Sequence, residues 1–408
     1  MEWDQVFATR MGGMQASEIR ELLKLLAQPD ILSFAGGIPD PNLFPAEAFQ
    51  TAMAEILGSP QRDAALQYSA SEGDPDLRAW LVSEMGKLGV PCDIDNILIT
   101  SGSQQALDYS GKLLIDPQDT MLVGWPTYLG ALGAFNAYQP TFDQLTPLGN
   151  RDQSEFRATA AQKDGDVKAA YLSVDFANPT GETLSLRARN NVLDLAEALN
   201  IAVIEDAAYQ ALRYDGAPIS PIQALEVARA GDINACRTIY CGSFSKTLAP
   251  GLRVGWVCAA KSVIYRLVLM KQASDLHSPT LNQMAIAKVA RGVFDDHVAR
   301  IRSVYRARRD HMLAALKQHM PKGVSWSEPE GGMFIWLTLP PHLDGATLLQ
   351  ASLQSEKVAF VPGRAFFADG SGANSLRLSF SRADEAQIEE GMTRLGRLIR
   401  TATAPAKG

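Results

Sequence analysis

Cysteine and histidine are scarce in this chain, with four and five residues among 408. No two cysteines have C-x-x-C spacing, and the histidines are scattered along the chain rather than clustered. The sequence therefore predicts reduced thiols, as in a cytoplasmic protein, and no metal site. The amino terminus is acidic and lacks the apolar segment of a secretion signal, which agrees with that location.

Long apolar runs and excess positive charge are also missing. No run approaches the roughly 18 apolar residues of a membrane span, so no membrane partner is expected. The net charge of −7 argues against a nucleic-acid partner. The local exception is the arginine-rich stretch 300–309, inside a helical pattern from His297 to Met320. We expect these arginines to lie on a solvated face of that helix.

Strands alternating with helices dominate the middle of the chain. Strand-like runs occupy residues 96–100, 120–124, 168–174, 201–205, 237–241 and 254–258, and helical patterns occupy 75–87, 105–115 and 187–199. This alternation predicts an α/β fold with a mainly parallel sheet sandwiched by helices.

The pattern changes to α+β after about residue 292. Strands are predicted at 331–339, 358–361 and 375–380, and a terminal helix at 383–401; another amphipathic helix is predicted near the start, at 17–26. The expected domains are an amino-terminal arm with part of a small domain (1–45), a large domain (46–292) and a smaller carboxyl-terminal α+β domain (293–408).

Five polar residues fall just after strand-like runs. They are Ser103, Tyr128, Asn178, Asp206 and Lys246. Ligands of parallel α/β sheets bind outside the carboxyl ends of the strands. The shared placement of these residues therefore predicts one common site.

The segment from Gly242 to Arg253 carries the most specific chemistry. Its hydroxyl groups and arginine suit a phosphate, and Lys246 can form an imine with a carbonyl group of the same ligand. Pyridoxal phosphate has both groups. A nucleotide P-loop needs glycine before the lysine, where Ser245 stands, and a hydrolase elbow needs a second glycine that is missing after Ser245.

Ordered motifs along the chain make the prediction specific. They are Gly-Gly-Ile-Pro at 36–39, Tyr68, Ser-Gly-Ser-Gln at 101–104, Pro-Thr-Tyr at 126–128, Asn-Pro-Thr-Gly at 178–181, Glu-Asp at 205–206 with Tyr209, Ser-Phe-Ser-Lys at 243–246, Arg253 and Arg377. With these motifs, residues 17–382 resemble the fold type I pyridoxal-phosphate enzymes, specifically the class I/II aminotransferase family. The branch that they most resemble holds the 2-aminoadipate and kynurenine aminotransferases.

The resemblance implies pyridoxal 5'-phosphate as cofactor and three catalytic residues. Lys246 would hold the cofactor covalently and then move the α-proton of the substrate. Asp206 would face the pyridine nitrogen and keep it protonated. Tyr128 would stack on the ring, while Asn178 and Tyr209 would hydrogen-bond its phenolic oxygen.

The resemblance also assigns the phosphate group and the dimer. The residues expected around the phosphate are Ser103, Gln104, Ser243, Ser245 and Arg253. The family implies a homodimer with shared active sites, in which Tyr68 reaches the phosphate in the partner's site.

Substrate contacts follow from the same resemblance. Arg377 would grip the α-carboxylate of the amino acid, assisted by the backbone amide of Gly37 and by Asn178. Arg20 would meet an acidic substrate side chain. The expected amino donors are 2-aminoadipate, glutamate, aromatic or branched-chain amino acids, with an oxo acid such as 2-oxoglutarate as acceptor.

Several alternatives stay open at the level of sequence. Taken singly, Asp206 could be a helix cap, Tyr128 and Tyr209 core aromatics, and Arg377 an exposed strand residue. The same fold hosts β-lyases and decarboxylases, as well as effector domains of regulators. Such regulators carry about 70 further residues as a winged-helix domain before this fold, within the usual range of a small domain. The expected arm begins almost at Met1, which disfavours a regulator.

Three positions depart from the family pattern. Gly124 replaces a frequently acidic residue, Val174 a frequent proline, and Ala177 a frequently polar residue. None of these changes removes a group that the expected chemistry needs. They weaken any conclusion about which substrate is bound.

Overall fold

The computed structural model of the chain describes residues 2–14 and 30–403. The helix predicted at 17–26 and Arg20 lie outside these described residues. No helix in the described ranges is long and apolar enough to cross a membrane.

A seven-stranded sheet lies at the centre of the part of the chain between residues 97 and 258. Its strands are β2 (Ile97–Thr100), β3 (Thr120–Val123), β4 (Thr141–Gln144), β5 (Val167–Ser173), β6 (Ala202–Asp206), β7 (Thr238–Ser243) and β8 (Gly255–Cys258), which lie in the order β2-β8-β7-β6-β5-β3-β4. All neighbouring pairs are parallel except those of β8, which runs antiparallel to both β2 and β7. Strands β2, β3 and β7 are buried along their whole length, as expected when both faces of a sheet are covered.

Helices cover both faces of this sheet. They are α1 (Ala46–Leu57), α2 (Arg62–Leu66), α3 (Pro75–Lys87), α4 (Ser103–Leu114), α5 (Leu129–Asn136), α6 (Gln153–Ala161), α7 (Leu186–Leu199), α8 (Ile222–Ala230) and α9 (Lys261–Gln272). Helix α3 has the bounds that the sequence predicted, because Asp74 caps its first turn through the N–H of Leu77 and Pro75 fits its first position. The α/β architecture predicted from the sequence is confirmed.

A 40-residue helix, α10 (Thr280–His319), leads from the large sheet to the carboxyl-terminal part of the chain. There β9 (Ser325–Trp326), β10 (Phe334–Thr338), β12 (Val361–Pro362) and β13 (Ser375–Ser379) form an antiparallel sheet, packed with α11 (Gly345–Ser355) and α12 (Glu385–Thr403). The short strand β1 (Leu32–Ser33) pairs with β11 (Val358–Ala359), so the amino-terminal arm joins this part. The domain boundary expected at residue 292 falls within α10, and the division into domains stays a prediction.

The arginine-rich stretch of α10 is only in part the solvated face that the sequence suggested, since Arg300, Arg302 and Arg306 are exposed whereas Arg308 and Arg309 are not. Arg309 is only 5% exposed and contacts Asp215, with Nη2 and Oδ2 2.6 Å apart. Its Nη1 also donates to the carbonyl of Pro329 at 2.8 Å, and Arg308 contacts Asp40 at 2.7 Å. The prediction was wrong for these two residues because helical periodicity does not reveal the carboxylates and carbonyls that other segments bring to a polar face.

Candidate active site

The carboxyl edge of the large sheet gathers the residues that the sequence placed after strands. Asp206 is the last residue of β6, and Ser243 is the last residue of β7. Because β8 is antiparallel to its neighbours, its beginning lies at this same edge. Arg253, two residues before β8, is thereby brought to the ends of the parallel strands.

A cavity of about 400 Å³ opens at this edge and contains twelve of the predicted site residues. They are Gly37, Ser103, Gln104, Tyr128, Asn178, Asp206, Tyr209, Ser243, Ser245, Lys246, Arg253 and Arg377. Its volume lies within the usual range for pockets that bind small molecules.

Two predicted residues are not among the residues that line the cavity. Tyr68 is 77% exposed, and its ring packs edge-on against His277 with the ring centres 5.9 Å apart. Arg20 lies outside the described residues.

Lys246 lies in the cavity with its amine largely removed from water. Its Nζ donates a hydrogen bond to the carbonyl of Gly37 at 2.9 Å and lies 5.5 Å from the ring centre of Tyr209. Burial, followed by the positive charge of Arg377, lowers the pKa of Lys246 from 10.5 to about 8, although Asp206 acts in the opposite direction. About a tenth of the amine is therefore neutral at pH 7, far more than for an ordinary lysine, and the neutral form is the one that acts as a nucleophile or base.

Asp206 is buried at 6% exposure and is held from two sides. It accepts hydrogen bonds from the hydroxyl of Tyr171 at 2.9 Å and from the N–H of Ala208 at 3.2 Å. Burial raises the pKa of its carboxyl group, while these hydrogen bonds and the charge of Lys246 lower it. Asp206 thus caps a local turn and also presents a carboxylate to the cavity.

Tyr171 is a functional candidate that the sequence analysis missed. It lies on β5, two residues before Ser173, so both side chains share one face of the sheet and both line the cavity. A hydroxyl group near the end of an otherwise apolar buried strand was the available signal. Its bond to Asp206 makes Tyr171 a positioning residue.

One end of the cavity is suited to a phosphate group. Ser103 is the first residue of α4, whose leading N–H groups have no carbonyl partner within the helix. Gly102 before it has φ +81, and a Cβ there would lie 2.3 Å from Nη2 of Arg253, so glycine is required for the close approach. Ser243, Ser245 and Arg253 complete this end of the cavity.

Arg377 lies on β13, and its guanidinium is buried in the same cavity. It donates from Nη1 to Oδ1 of Asn178 and from Nη2 to the carbonyl of Ala35, both at 2.7 Å. Its Nε is buried and has no hydrogen-bond partner among the described residues. Burial lowers the pKa of Arg377 to about 10, so the group remains charged near neutral pH. At 1% exposure it is not the surface arginine that the sequence left open.

The aromatic side chains of the cavity belong to its wall rather than to a distant core. The phenol of Tyr128 and that of Tyr209 both have their pKa raised by burial, which keeps them protonated. The ring of Tyr209 also packs edge-on against Phe334, with the centres 5.5 Å apart. Both phenols can therefore donate hydrogen bonds to a ligand.

Comparison with known proteins agrees with this chemistry. Residues 30–395 match the family model described as aminotransferase class I and II. The chain is 41% identical to 2-aminoadipate transaminase of Thermus thermophilus, over 98% of each protein. It is also 41% identical to aromatic-amino-acid aminotransferase 1 of Thermococcus litoralis, over 98% of this chain and 95% of that one. The crystal structure of kynurenine aminotransferase from Pyrococcus horikoshii superposes with a TM-score of 0.90, at 40% identity over 99% of both chains.

Proposed function

The chain belongs to the class I and II aminotransferases, a family of enzymes that depend on pyridoxal phosphate, and from this premise we propose its substrates and the roles of its residues. The proposed reaction moves the amino group of an L-amino acid to a 2-oxo acid such as 2-oxoglutarate. The observation that carries the proposal is the partly buried Lys246 in one cavity with the buried guanidinium of Arg377.

The proposed donors are 2-aminoadipate, glutamate, aromatic and branched-chain amino acids. The names of the relatives, which refer to aromatic amino acids, 2-aminoadipate and kynurenine, support the acidic and aromatic members of this group. Arg377 stays charged near neutral pH and offers an unpartnered Nε, which suits the α-carboxylate that all these donors share.

The residues of the cavity fit pyridoxal phosphate. The start of α4 and the hydroxyl groups of Ser103, Ser243 and Ser245 would hold the phosphate together with Arg253, and Gln104 lies beside them. Lys246 would bind the aldehyde group. Asp206 would hold a proton on the pyridine nitrogen, while Asn178 and Tyr209 would face the phenolic oxygen and Tyr128 the ring.

The bound cofactor supplies an electron sink that makes the α-proton of the amino acid acidic. Lys246 would remove this proton and return it to the cofactor carbon that carries the amino group afterwards, acting first as base and then as acid. Arg377 would orient the substrate through its carboxylate, with Gly37 and Asn178 beside it. The buried walls would keep water away from the reacting carbon.

We also propose a cytoplasmic homodimer with shared active sites. Tyr68 has a 77% exposed aromatic ring, and a partner subunit would cover it while receiving its hydroxyl group near the phosphate. All four cysteines are free thiols, which suits a reducing compartment. A monomer in sedimentation equilibrium at working concentration would contradict the dimer.

The reaction is tested by a half-reaction. Purified holoenzyme mixed with glutamate and no oxo acid should lose the absorbance of the aldehyde form of the cofactor and gain that of the amine form. Adding 2-oxoglutarate should reverse the change and release no carbon dioxide. An unchanged spectrum across acidic, aromatic and branched-chain donors would refute the proposed transamination.

The pH dependence of cofactor recombination tests the lowered pKa of Lys246. Since only the neutral amine attacks a carbonyl, the rate at which cofactor-free enzyme takes up pyridoxal phosphate should rise with pH and level off above a midpoint of about 8. Arg377→Met should move this midpoint upward, because Arg377 lowers the pKa of Lys246. Stopped-flow absorbance gives the rates. A midpoint near the ordinary lysine value of 10.5 would contradict the assignment.

A further inference from the structure

A second cavity, of about 630 Å³, lies beside the first. It is bounded by α3, by the part of α10 near residues 294–302 and by the segment that follows β6. Ala208 and Ser243 line both cavities. The proposed aminotransferase chemistry uses none of the space in this second cavity.

Aromatic rings form one end of the second cavity. Trp80 and Phe294 meet edge-on with their centres 5.2 Å apart, and both line the cavity together with Trp256. The indole Nε1 of Trp256 is buried, and none of the residues that the structure describes forms a hydrogen bond with it. Such a wall favours the flat face of an aromatic ligand.

Asp175 presents an unpartnered carboxylate oxygen at the other end. Its Oδ1 accepts from Nη2 of Arg189 at 2.7 Å and from Nη2 of Arg213 at 3.0 Å. Its Oδ2 is buried and has no hydrogen-bond partner in the described part of the chain, and the residue, which is 3% exposed, lines the cavity. A buried acceptor left unpaired is unfavourable, so a ligand that donates an N–H or O–H here would gain a strong hydrogen bond.

The two ends are far apart. Asp175 follows β5 and Trp256 lies on β8, and these strands are separated by β6 and β7 in the sheet. At the usual spacing of neighbouring strands, three steps correspond to on the order of 14 Å. A ligand that contacts both ends must therefore be elongated.

The charges around the cavity balance. Three acidic and three basic side chains line it, namely Glu84, Asp175, Asp295, Lys87, Arg213 and Arg302. Glu84 and Lys87 also neutralise each other in an ion pair of 2.7 Å. This balance favours an uncharged ligand over an amino acid or an organic acid.

We propose that the second cavity binds an elongated, uncharged aromatic molecule with an N–H or O–H donor at one end. The donor bonds to Oδ2 of Asp175, and the distal ring packs against Trp80 and Phe294. This site is separate from the one that binds the amino donor and goes beyond the proposed transamination.

Three biphenyl probes test the chemistry on the unmodified holoenzyme. Titration calorimetry should detect binding of 4-phenylphenol, which has a hydroxyl donor at one end. Binding of 4-methoxybiphenyl, which has the same rings but no donor, should be weaker by about ten-fold or more, since it loses a hydrogen bond to a charged acceptor. Biphenyl-4-carboxylate should bind no better than 4-methoxybiphenyl. Equal affinity for all three probes, or no binding of 4-phenylphenol, overturns the proposal.

Two variants test whether 4-phenylphenol binds in the second cavity. Ala211 lines the second cavity but is not among the residues lining the first, so Ala211→Leu should fill the space and weaken 4-phenylphenol about ten-fold. Ala161→Leu, at an exposed position of α6, is the matched control and should leave the affinity unchanged. Unchanged affinity in Ala211→Leu overturns the assignment to this cavity.

Asp175→Asn tests the hydrogen bond itself. The substitution can keep an oxygen for Arg189 and Arg213 while the free atom becomes a donor. We expect 4-phenylphenol to lose its advantage over 4-methoxybiphenyl in this variant, provided that thermal unfolding shows it to be folded. A retained advantage contradicts the role of Asp175. If the variant does not fold, the three-probe comparison on the unmodified enzyme still decides the proposal.

Discussion

Replacing Lys246 by alanine should lower kcat by about 10⁴-fold or more, the upper end of what a single acid–base group contributes. The variant loses both the amine that would hold the cofactor and the group that would carry the α-proton. Its fold should persist, because Lys246 makes one hydrogen bond, to the carbonyl of Gly37, and carries no ion pair among the described contacts. The measurement is steady-state turnover with glutamate and 2-oxoglutarate, alongside thermal unfolding.

Covalent capture separates this loss from a folding defect. Reduction of the holoenzyme with borohydride, followed by peptide mass spectrometry, should place the cofactor on the peptide that contains Lys246. Lys246→Arg is the matched variant: it keeps a positive charge but has no neutral amine near neutral pH, so it should be as inactive as the alanine variant. Turnover within ten-fold of the parent in either variant would refute the assigned role.

The site residues at the strand ends were predictable because they follow buried strands in a regular sequence pattern. Buried apolar runs followed by polar residues identified Ser103, Asn178 and Asp206, and parallel α/β topology implies that such positions meet at one edge. Arg253 was expected at the phosphate from the residues around Lys246 and from the resemblance, and it lines the same cavity. The structural reason is the reversed direction of β8, which periodicity does not indicate because a buried strand has the same pattern in either direction.

Contacts between segments that are distant in the chain could not be predicted from the sequence. Arg309 was taken for a solvated residue because Asp215 and Pro329 are far from it in the chain, yet both contact it. The same holds for Tyr171, whose partner Asp206 lies 35 positions away on the adjacent strand. Helical and strand periodicity describe which face a residue occupies, whereas these pairings depend on which element packs against that face.

The second cavity was likewise not predictable from the sequence. Trp80 and Phe294 both fit ordinary helical patterns, and each would be assigned to the core from sequence alone. The cavity beside them is also lined by small residues such as Ala207 and Ala211. Volume between elements depends on packing distances, which no local pattern encodes.

Asp206→Asn is the second substitution with a large expected effect. The carboxylate is buried, and it would pair with the protonated pyridine nitrogen. Removing one partner of a buried charge pair costs about 3–5 kcal/mol, so kcat/KM should fall by about 10³-fold. Because asparagine has nearly the same shape as aspartate, a loss of packing would not explain a fall in kcat/KM in this variant. Cofactor affinity, followed by absorbance, should also fall in this variant.

Tyr171→Phe tests the role of Asp206 by a smaller change, because it removes one hydrogen bond to the Asp206 carboxylate and leaves the carboxylate in place. The hydroxyl group of Tyr171 lowers the pKa of the Asp206 carboxyl, so its removal should raise that pKa further above the ordinary value. Activity that requires ionised Asp206 is lost as pH falls through this pKa, and the acid limb of the kcat/KM profile should therefore move to higher pH. Well above that limb the loss should be about ten-fold, as expected for one hydrogen bond to a charged group. An acid limb at the same pH as in the parent would show that Tyr171 does not position Asp206 for catalysis.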